Sequence, residues 1–315
     1  MYSYRRVSLL SAIAVAGLAT TLAVTPAFAA TAPLSQPKVL AHFDITTGQQ
    51  PENIAVEPNG SADLTFNAAR QVAHVSPNGA VSILATLPAS STGTAEATGI
   101  VRASDGTLYV NYLAGTASGV YKLRPGGAPV LFAALPEVGF LNGLTLDERT
   151  GTLYATDSAK GAVWKVALKT GQASLWATAD ELAPGTGPTA FGFGSNGIKV
   201  HDGAVWVSNT DRGTLSRIPI RANGTAGTLT TEVTGAVGID DFAFIGEGDT
   251  VLAALNFESQ VILVQPGGTP TTVLTSADGL SNPTSIGLWG KTVYVPSAAY
   301  FTQQDPNLLE AQLGC

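Results

Sequence analysis

Cysteine is almost missing from this 315-residue chain: the single one, Cys315, is its last residue. No disulfide can form within one molecule, so the fold has to be held by its core, with or without a bound ion, rather than by cross-links. Basic charge is scarce as well. Lys and Arg number 16 against 23 Asp and Glu, a formal net charge of -7, which excludes the basic footprint that nucleic acid demands. Charged residues are only 12% of the total, and long stretches of strong helix formers are missing. In their place stand 35 Gly and 18 Pro among short Val- and Thr-containing segments, the composition of short strands joined by tight turns. Beyond residue 29 no apolar run is long enough to span a bilayer.

The exception lies at the N-terminus. Arg5 and Arg6 precede an apolar run from Val7 to Val24, and Pro26-Ala27-Phe28-Ala29 places small residues where a signal peptidase reads. We therefore expect a secretory signal peptide over residues 1–29, cleavage after Ala29, and a secreted domain over 30–315. The arginine pair leaves ordinary and twin-arginine export both open. A retained membrane anchor is the alternative, since the run is near the lower length limit for a spanning helix.

What is abundant is repetition. Glu52-Asn53-Ile54, Thr98-Gly99-Ile100, Asn142-Gly143-Leu144, Asn196-Gly197-Ile198, Asp240-Asp241-Phe242 and Thr284-Ser285-Ile286 follow one another in steps of 46, 44, 54, 44 and 44 residues. Six units of this period predict a β-propeller, because one such unit cannot bury its apolar face alone. The third repeat shows the internal order most clearly, with strands expected at 142–146, 151–156, 162–166 and 173–176, four per blade. The sixth repeat has room for only one clear strand after Tyr294, whereas Val39 to Phe43 reads as an orphan strand near the start of the mature chain. Pairing the two would close the ring and remove its open edges. The predicted fold is thus all-β, a six-bladed propeller of four-stranded blades closed by an N-terminal strand that completes the last blade.

Equivalent positions of a closed propeller fall on one ring around its central channel. This register brings Glu52, Asn142, Asn196 and Asp240 together, two carboxylates and two amides suited to a hard cation such as calcium. Thr98 and Thr284 hold the other two ring positions, where their hydroxyls are expected to touch water or substrate. His42, His74 and His201 fall on an end strand, a third strand and a hairpin turn, which argues against a histidine zinc cage. Each ring residue also has a plain structural alternative: Asn142 and Asn196 as turn formers before strands, Glu52 as a solvated edge residue, and Asp240 or Asp241 as a turn cap. A second polar set, Asn67, Asn111, Asp157, Asn209, Asn256 and Ser297, ends the second strands. It reads as strand-end hydrogen bonding, with Asn111 or Asp157 as substrate contacts in the alternative. The longer step of 54 residues places an insertion between Thr178 and Ser195. Carrying Phe191 and Phe193, it is either a lid or apolar wall at the mouth of the ring or a solvent-exposed loop.

Glu52, Asn142 with Gly143, Asn196 with Gly197, and Asp240, each opening the inner strand of a different blade, resemble the metal set of the senescence-marker-protein-30/gluconolactonase family. The resemblance covers nearly the whole chain after the N-terminal segment. It implies a six-bladed propeller with a divalent cation, usually calcium, in its channel, acting on lactones or organophosphate esters. The sequence departs from the family at Pro51-Glu52-Asn53, where Gly-Glu-Gly/Ser-Pro is usual, and at Asp241, where Gly usually follows the aspartate. No ring position carries the histidine that assists paraoxonase-like relatives.

The expected function is that of a secreted, monomeric, calcium-dependent hydrolase of a lactone or related ester. Glu52, Asn142, Asn196 and Asp240 would hold the metal, and Asp240 would act as general base. The alternatives are a non-enzymatic ligand- or protein-binding propeller with a structural calcium, and a metal-free strictosidine-synthase-like enzyme.

Overall fold

Short strands with one apolar face gain stability only by pairing and by stacking the resulting sheets, and here the chain does this six times around a circle. The computed structural model describes residues 33–90 and 93–314; the expected signal peptide and Cys315 lie outside them. Six antiparallel sheets of four strands each follow one another, five of them in simple up-and-down order. The third blade consists of Leu141–Asp147, Thr152–Asp157, Ala162–Ala167 and Ala173–Thr178, so the strands expected there differ from those observed only at their ends. Among the described residues the helices are four single 3-10 turns, and no helix is long and apolar enough to cross a membrane.

The sixth sheet closes the ring. Its inner three strands are Gly287–Trp289, Thr292–Ser297 and Asn307–Leu313, and the fourth is the N-terminal Leu34–His42. The two terminal strands run antiparallel, from Leu34 opposite Leu313 to His42 opposite Asn307. The closing strand starts five residues before the expected Val39.

The core lies between blades. Trp206 and Leu215 of the fourth blade pack with Phe242 and Ile262 of the fifth, and Val72 of the first packs with Tyr112 and Leu123 of the second. Full burial of such side chains contributes about 1.5–3 kcal/mol each, and most of it is available only once neighbouring blades meet.

The inner strands are irregular where the sequence repeat is most regular. The pairing register shifts between Pro51 and Asn53, Ala97 and Ile100, Leu141 and Leu144, Ser195 and Ile198, and Ile239 and Phe242. A bulge of this kind re-aims side chains. The Asn142-Gly143 and Asn196-Gly197 pairs consequently sit inside strands, not in turns. Their glycines serve close approach. A Cβ on Gly143 would lie 2.5 Å from the carbonyl oxygen of Asn196, and one on Gly197 would lie 2.4 Å from Asp241 Oδ1.

Neighbouring blades are tied at this level. Thr65 Oγ1 donates to the carbonyl of Thr98 (2.5 Å), Asn111 Nδ2 to that of Asn142 (2.8 Å), Thr156 Oγ1 to that of Asn196 (2.5 Å) and Ser208 Oγ to that of Asp240 (2.5 Å). Every acceptor is the backbone of a ring residue, held by the second strand of the blade before it.

Candidate active site

A cavity of about 350 Å³ opens at the mouth of the channel, and Glu52, Asn142, Asn196 and Asp240 all line it. The four come from the inner strands of the first, third, fourth and fifth blades and are nearly buried, at 4% to 7% exposure. Glu96, Tyr300, Thr210, Asn67 and Asn256 complete the polar part of the wall.

The hydrogen bonds orient the two amides. Asn142 Nδ2 donates to Ser158 Oγ (3.2 Å), whose own proton goes to the carbonyl of Ser195 (2.7 Å). Asn196 Nδ2 donates to Thr210 Oγ1 (2.8 Å), whose proton goes to the carbonyl of Ile239 (2.8 Å). A hydroxyl has one proton; once that is committed, it can only accept from the amide. Among the described residues neither Asn carbonyl oxygen accepts a hydrogen bond, and two amide oxygens beside two carboxylates form an all-oxygen donor set.

The carboxylates lack a counter-charge. Burial pushes Glu52 up to about 7, against the opposing hydrogen bond from Tyr300, and the charges of Glu96 and Asp241 push it further in the same direction. Asp240 is raised well above the usual carboxylate range by burial, then by Glu52 and Asp241, with a hydrogen bond from Asn196 opposing. Tyr300, also raised by burial and by Glu52, stays a neutral donor and gives its proton to Glu52 Oε2 at 2.5 Å. Among the described residues no Lys, Arg or His lines the cavity. Nearly buried like charges demand either protons or a cation, and the oxygen donors fit a hard divalent ion such as calcium. Glu52, Asp240, Asn142 and Asn196 are the residues placed to hold it.

Asp240, not Asp241, faces the mouth. Asp241 turns to the next layer of the channel, where its carboxylate meets Lys199 Nζ at 2.5 and 2.7 Å. Asp241 Oδ2 also accepts from Asn53 Nδ2 (3.2 Å) and Ser285 Oγ (2.8 Å). The two threonines of the ring do not reach the cavity. Thr98 Oγ1 donates to the carbonyl of Leu141 (3.0 Å) and Thr284 Oγ1 to that of Pro51 (2.9 Å), so they fasten blades together. In the strand-end set, Asn111 and Asp157 are likewise structural. Asp157 accepts from the backbone N–H of Gly139 and Phe140, each at 2.9 Å, while Asn67 and Asn256 are the members that line the cavity.

The rest of the wall is aromatic. Phe140, Phe193, Phe257 and Phe301 line the cavity. Phe193 meets Phe140 edge-on at 5.3 Å, and Phe191 lies 4.4 Å from Phe257 and 6.1 Å from Phe301. The insertion is therefore a wall of the mouth, and one carboxylate holds it there: Asp211 accepts from the N–H groups of Gly185 (3.1 Å), Phe191 (2.9 Å) and Gly192 (3.1 Å). Reading the repeat missed Glu96, Tyr300, Phe257 and Phe301. Glu96 stands two residues before its ring position, where the bulge begins, and Tyr300-Phe301 lies in the loop between the second and third strands of the last blade, outside any periodic pattern.

These features define a six-bladed β-propeller with an oxygen-lined, aromatic-walled cavity at its mouth. No protein-family model and no curated protein matches the sequence. Solved structures share its fold. Regucalcin from Agrobacterium tumefaciens, a calcium-binding protein, matches with a TM-score of 0.66 at 16% identity over 89% of this chain and 96% of its own. A gluconolactonase from Xanthomonas campestris matches with a TM-score of 0.64 at 14% identity over 85% and 87%. A virginiamycin B lyase from Staphylococcus aureus, made inactive by a histidine-to-alanine change, matches with a TM-score of 0.58 at 15% identity over 89% and 100%. At these identities the likeness is one of fold.

Proposed function

We propose that this chain is a calcium-dependent hydrolase of a lactone or related ester, exported by way of its N-terminal segment. The observation that carries this reading is the fixed orientation of the Asn142 and Asn196 carbonyl oxygens beside the uncompensated carboxylates of Glu52 and Asp240. Lactonase and calcium-binding propellers of the same fold support it. When bound, the cation would act as a Lewis acid toward the substrate carbonyl.

The chain's own residues do the rest. Asp240 accepts a proton from water, whose oxygen attacks the carbonyl carbon; the ester C–O bond then breaks, and the proton passes to the departing alkoxide. Tyr300 holds Glu52 through one carboxylate oxygen, Oε2, which fixes the side chain in the cavity wall. Phe140, Phe193, Phe257 and Phe301 exclude water and favour a substrate with an apolar body over a bare sugar lactone. Among the described residues no histidine lines the cavity, so the proton transfers fall to Asp240.

The test is turnover of a panel of lactones and aryl esters with calcium and with chelator. Activity should require the cation, and Asp240→Asn should lower it by about 10²–10⁴ while preserving the fold. Full activity of that variant would sink the assignment of Asp240. Cation and ligand binding without turnover of any substrate would instead leave a non-enzymatic binding propeller. Export is checked by locating the protein in culture medium with and without residues 1–29.

A further inference from the structure

Among the described residues, two groups away from the mouth bring three metal-ligand side chains within 4.8 Å of one another: Glu57, Asp63 and His74, and His201, Asp202 and Asp249. The second is open to water, with the Asp202 and Asp249 side chains 73% and 43% exposed. In the first, the Asp63 side chain is 1% exposed. It stands at the start of the second strand of the first blade, directly opposite His74 on the third.

The repeat shows how unusual Asp63 is. At the same register the other five blades place Tyr109, Tyr154, Trp206, Leu252 and Tyr294, all buried large side chains that pack between blades. Only the first blade replaces this inter-blade side chain with a carboxylate. One of its oxygens, Oδ2, is buried and has no hydrogen-bond partner, and such a group is costly unless something binds it. Asp63 lines a second cavity of about 350 Å³, between the first and second blades.

From these residues the geometry points to a second metal site, in which Glu57, Asp63 and His74 bind a divalent cation of the zinc class, distinct from the ion at the mouth. His74 Nδ1 lies 3.0 Å from Asp63 Oδ1 and 3.6 Å from Glu57 Oε1. Zinc bonds of about 2.0–2.1 Å in a tetrahedron set ligand atoms about 3.3 Å apart, between these two distances. One imidazole and two carboxylates are a set that suits zinc and leaves a position open. That position faces the cavity, whose rim carries Arg102 and Arg124, so the fourth ligand is water or a small anion. Glu57 lies five residues after Glu52, just past the end of the inner strand Pro51–Val56, a span of at most about 16 Å at the usual rise, and the two groups of side chains line different cavities, which makes the two sites independent.

The experiment is a titration of the chain with Co2+ and Zn2+ in a Cys315→Ser background, so that the lone thiol cannot compete. Visible Co2+ absorption and thermal midpoint are read for this protein, for Glu52→Gln/Asp240→Asn, for Asp63→Asn and for His74→Gln. One Co2+ per chain, displaced by Zn2+ and retained in the Glu52/Asp240 double variant, is expected. Asp63→Asn and His74→Gln should each weaken it by at least roughly tenfold, while keeping the calcium response of the mouth. Loss of all Co2+ binding in the double variant, or undiminished binding in His74→Gln, would overturn the proposal and leave Glu57, Asp63, His74 and Arg102 as a metal-free ion cluster.

Discussion

Removing divalent cations should make this protein progressively less stable as the pH rises from about 5 to about 8. Glu52 has its pKa raised in the folded state from 4.5 to about 7, and Asp240 is raised in the same sense. A carboxyl that holds its proton more tightly when folded contributes its full stabilisation below the unfolded pKa and loses it as the pH passes through the folded one. For Glu52 alone the shift corresponds to about 3 kcal/mol at roughly 1.4 kcal/mol per pKa unit. At roughly 2–4 °C per kcal/mol for a domain near this size, the midpoint should fall by about 6–12 °C. Asp63, pushed up to about 6 chiefly by burial, adds to the decline in the same window, so the Glu52 share is the difference between wild type and Glu52→Gln. Calcium should abolish that share, because the bound ion keeps both carboxylates ionised, and at a hundred times its dissociation constant it adds about 2.7 kcal/mol. Thermal melts in chelator and in calcium at about pH 5 and about pH 8 measure this. Equal stability at the two pH values in chelator, or a profile that calcium leaves unchanged, would refute the argument that the mouth carboxylates lack a counter-charge.

Other outcomes follow from the same contacts. Lys199→Met should destabilise the fold by about 3 kcal/mol in urea melts, because Asp241 would keep its neutral donors Asn53, Phe242 and Ser285 but lose the ammonium that pairs with it. Gly143→Ala should cost about 1–3 kcal/mol and weaken calcium binding in calorimetry, since its methyl would press on the carbonyl of Asn196. Phe301→Ala should raise KM for apolar esters by about tenfold, because Phe301 is 55% exposed at the mouth and the share of its ring that a bound substrate covers is worth about 1–2 kcal/mol, with kcat for a small lactone little changed. An unaltered KM across an acyl-length series would remove the aromatic wall from the substrate site.

Much of the fold was legible because a propeller writes one local solution six times. The turn glycines, the strand lengths and the spacing of the ring residues recur at a near-constant step, so errors at any one blade are corrected by the others. Ring closure could be read from a missing strand at one end and an extra one at the other. The mouth residues Glu52, Asn142, Asn196 and Asp240 were legible for the same reason. Thr98 and Thr284 were misplaced by that reasoning. The repeat gives equivalent backbone positions, but a threonine side chain is short and finds a carbonyl on the neighbouring blade before it can reach the channel. The Asn-Gly pairs look locally like turns. Their glycines are there because another blade passes within van der Waals distance, and no local pattern reports that.

Sequence alone determined the class of fold, the number of blades, the way the ring closes and the four oxygen-bearing side chains that converge at its mouth, since all of these follow from periodicity. Tertiary structure decided the rest, because it depends on contacts between blades. Those contacts turn Asp240 to the cavity and Asp241 to Lys199, commit the Ser158 and Thr210 protons so that the amide oxygens face the donor set, bring Tyr300 onto Glu52, and fold the insertion against Asp211 as an aromatic wall. They also leave Asp63 with an unpaired oxygen between two blades, where the repeat elsewhere puts a large apolar side chain.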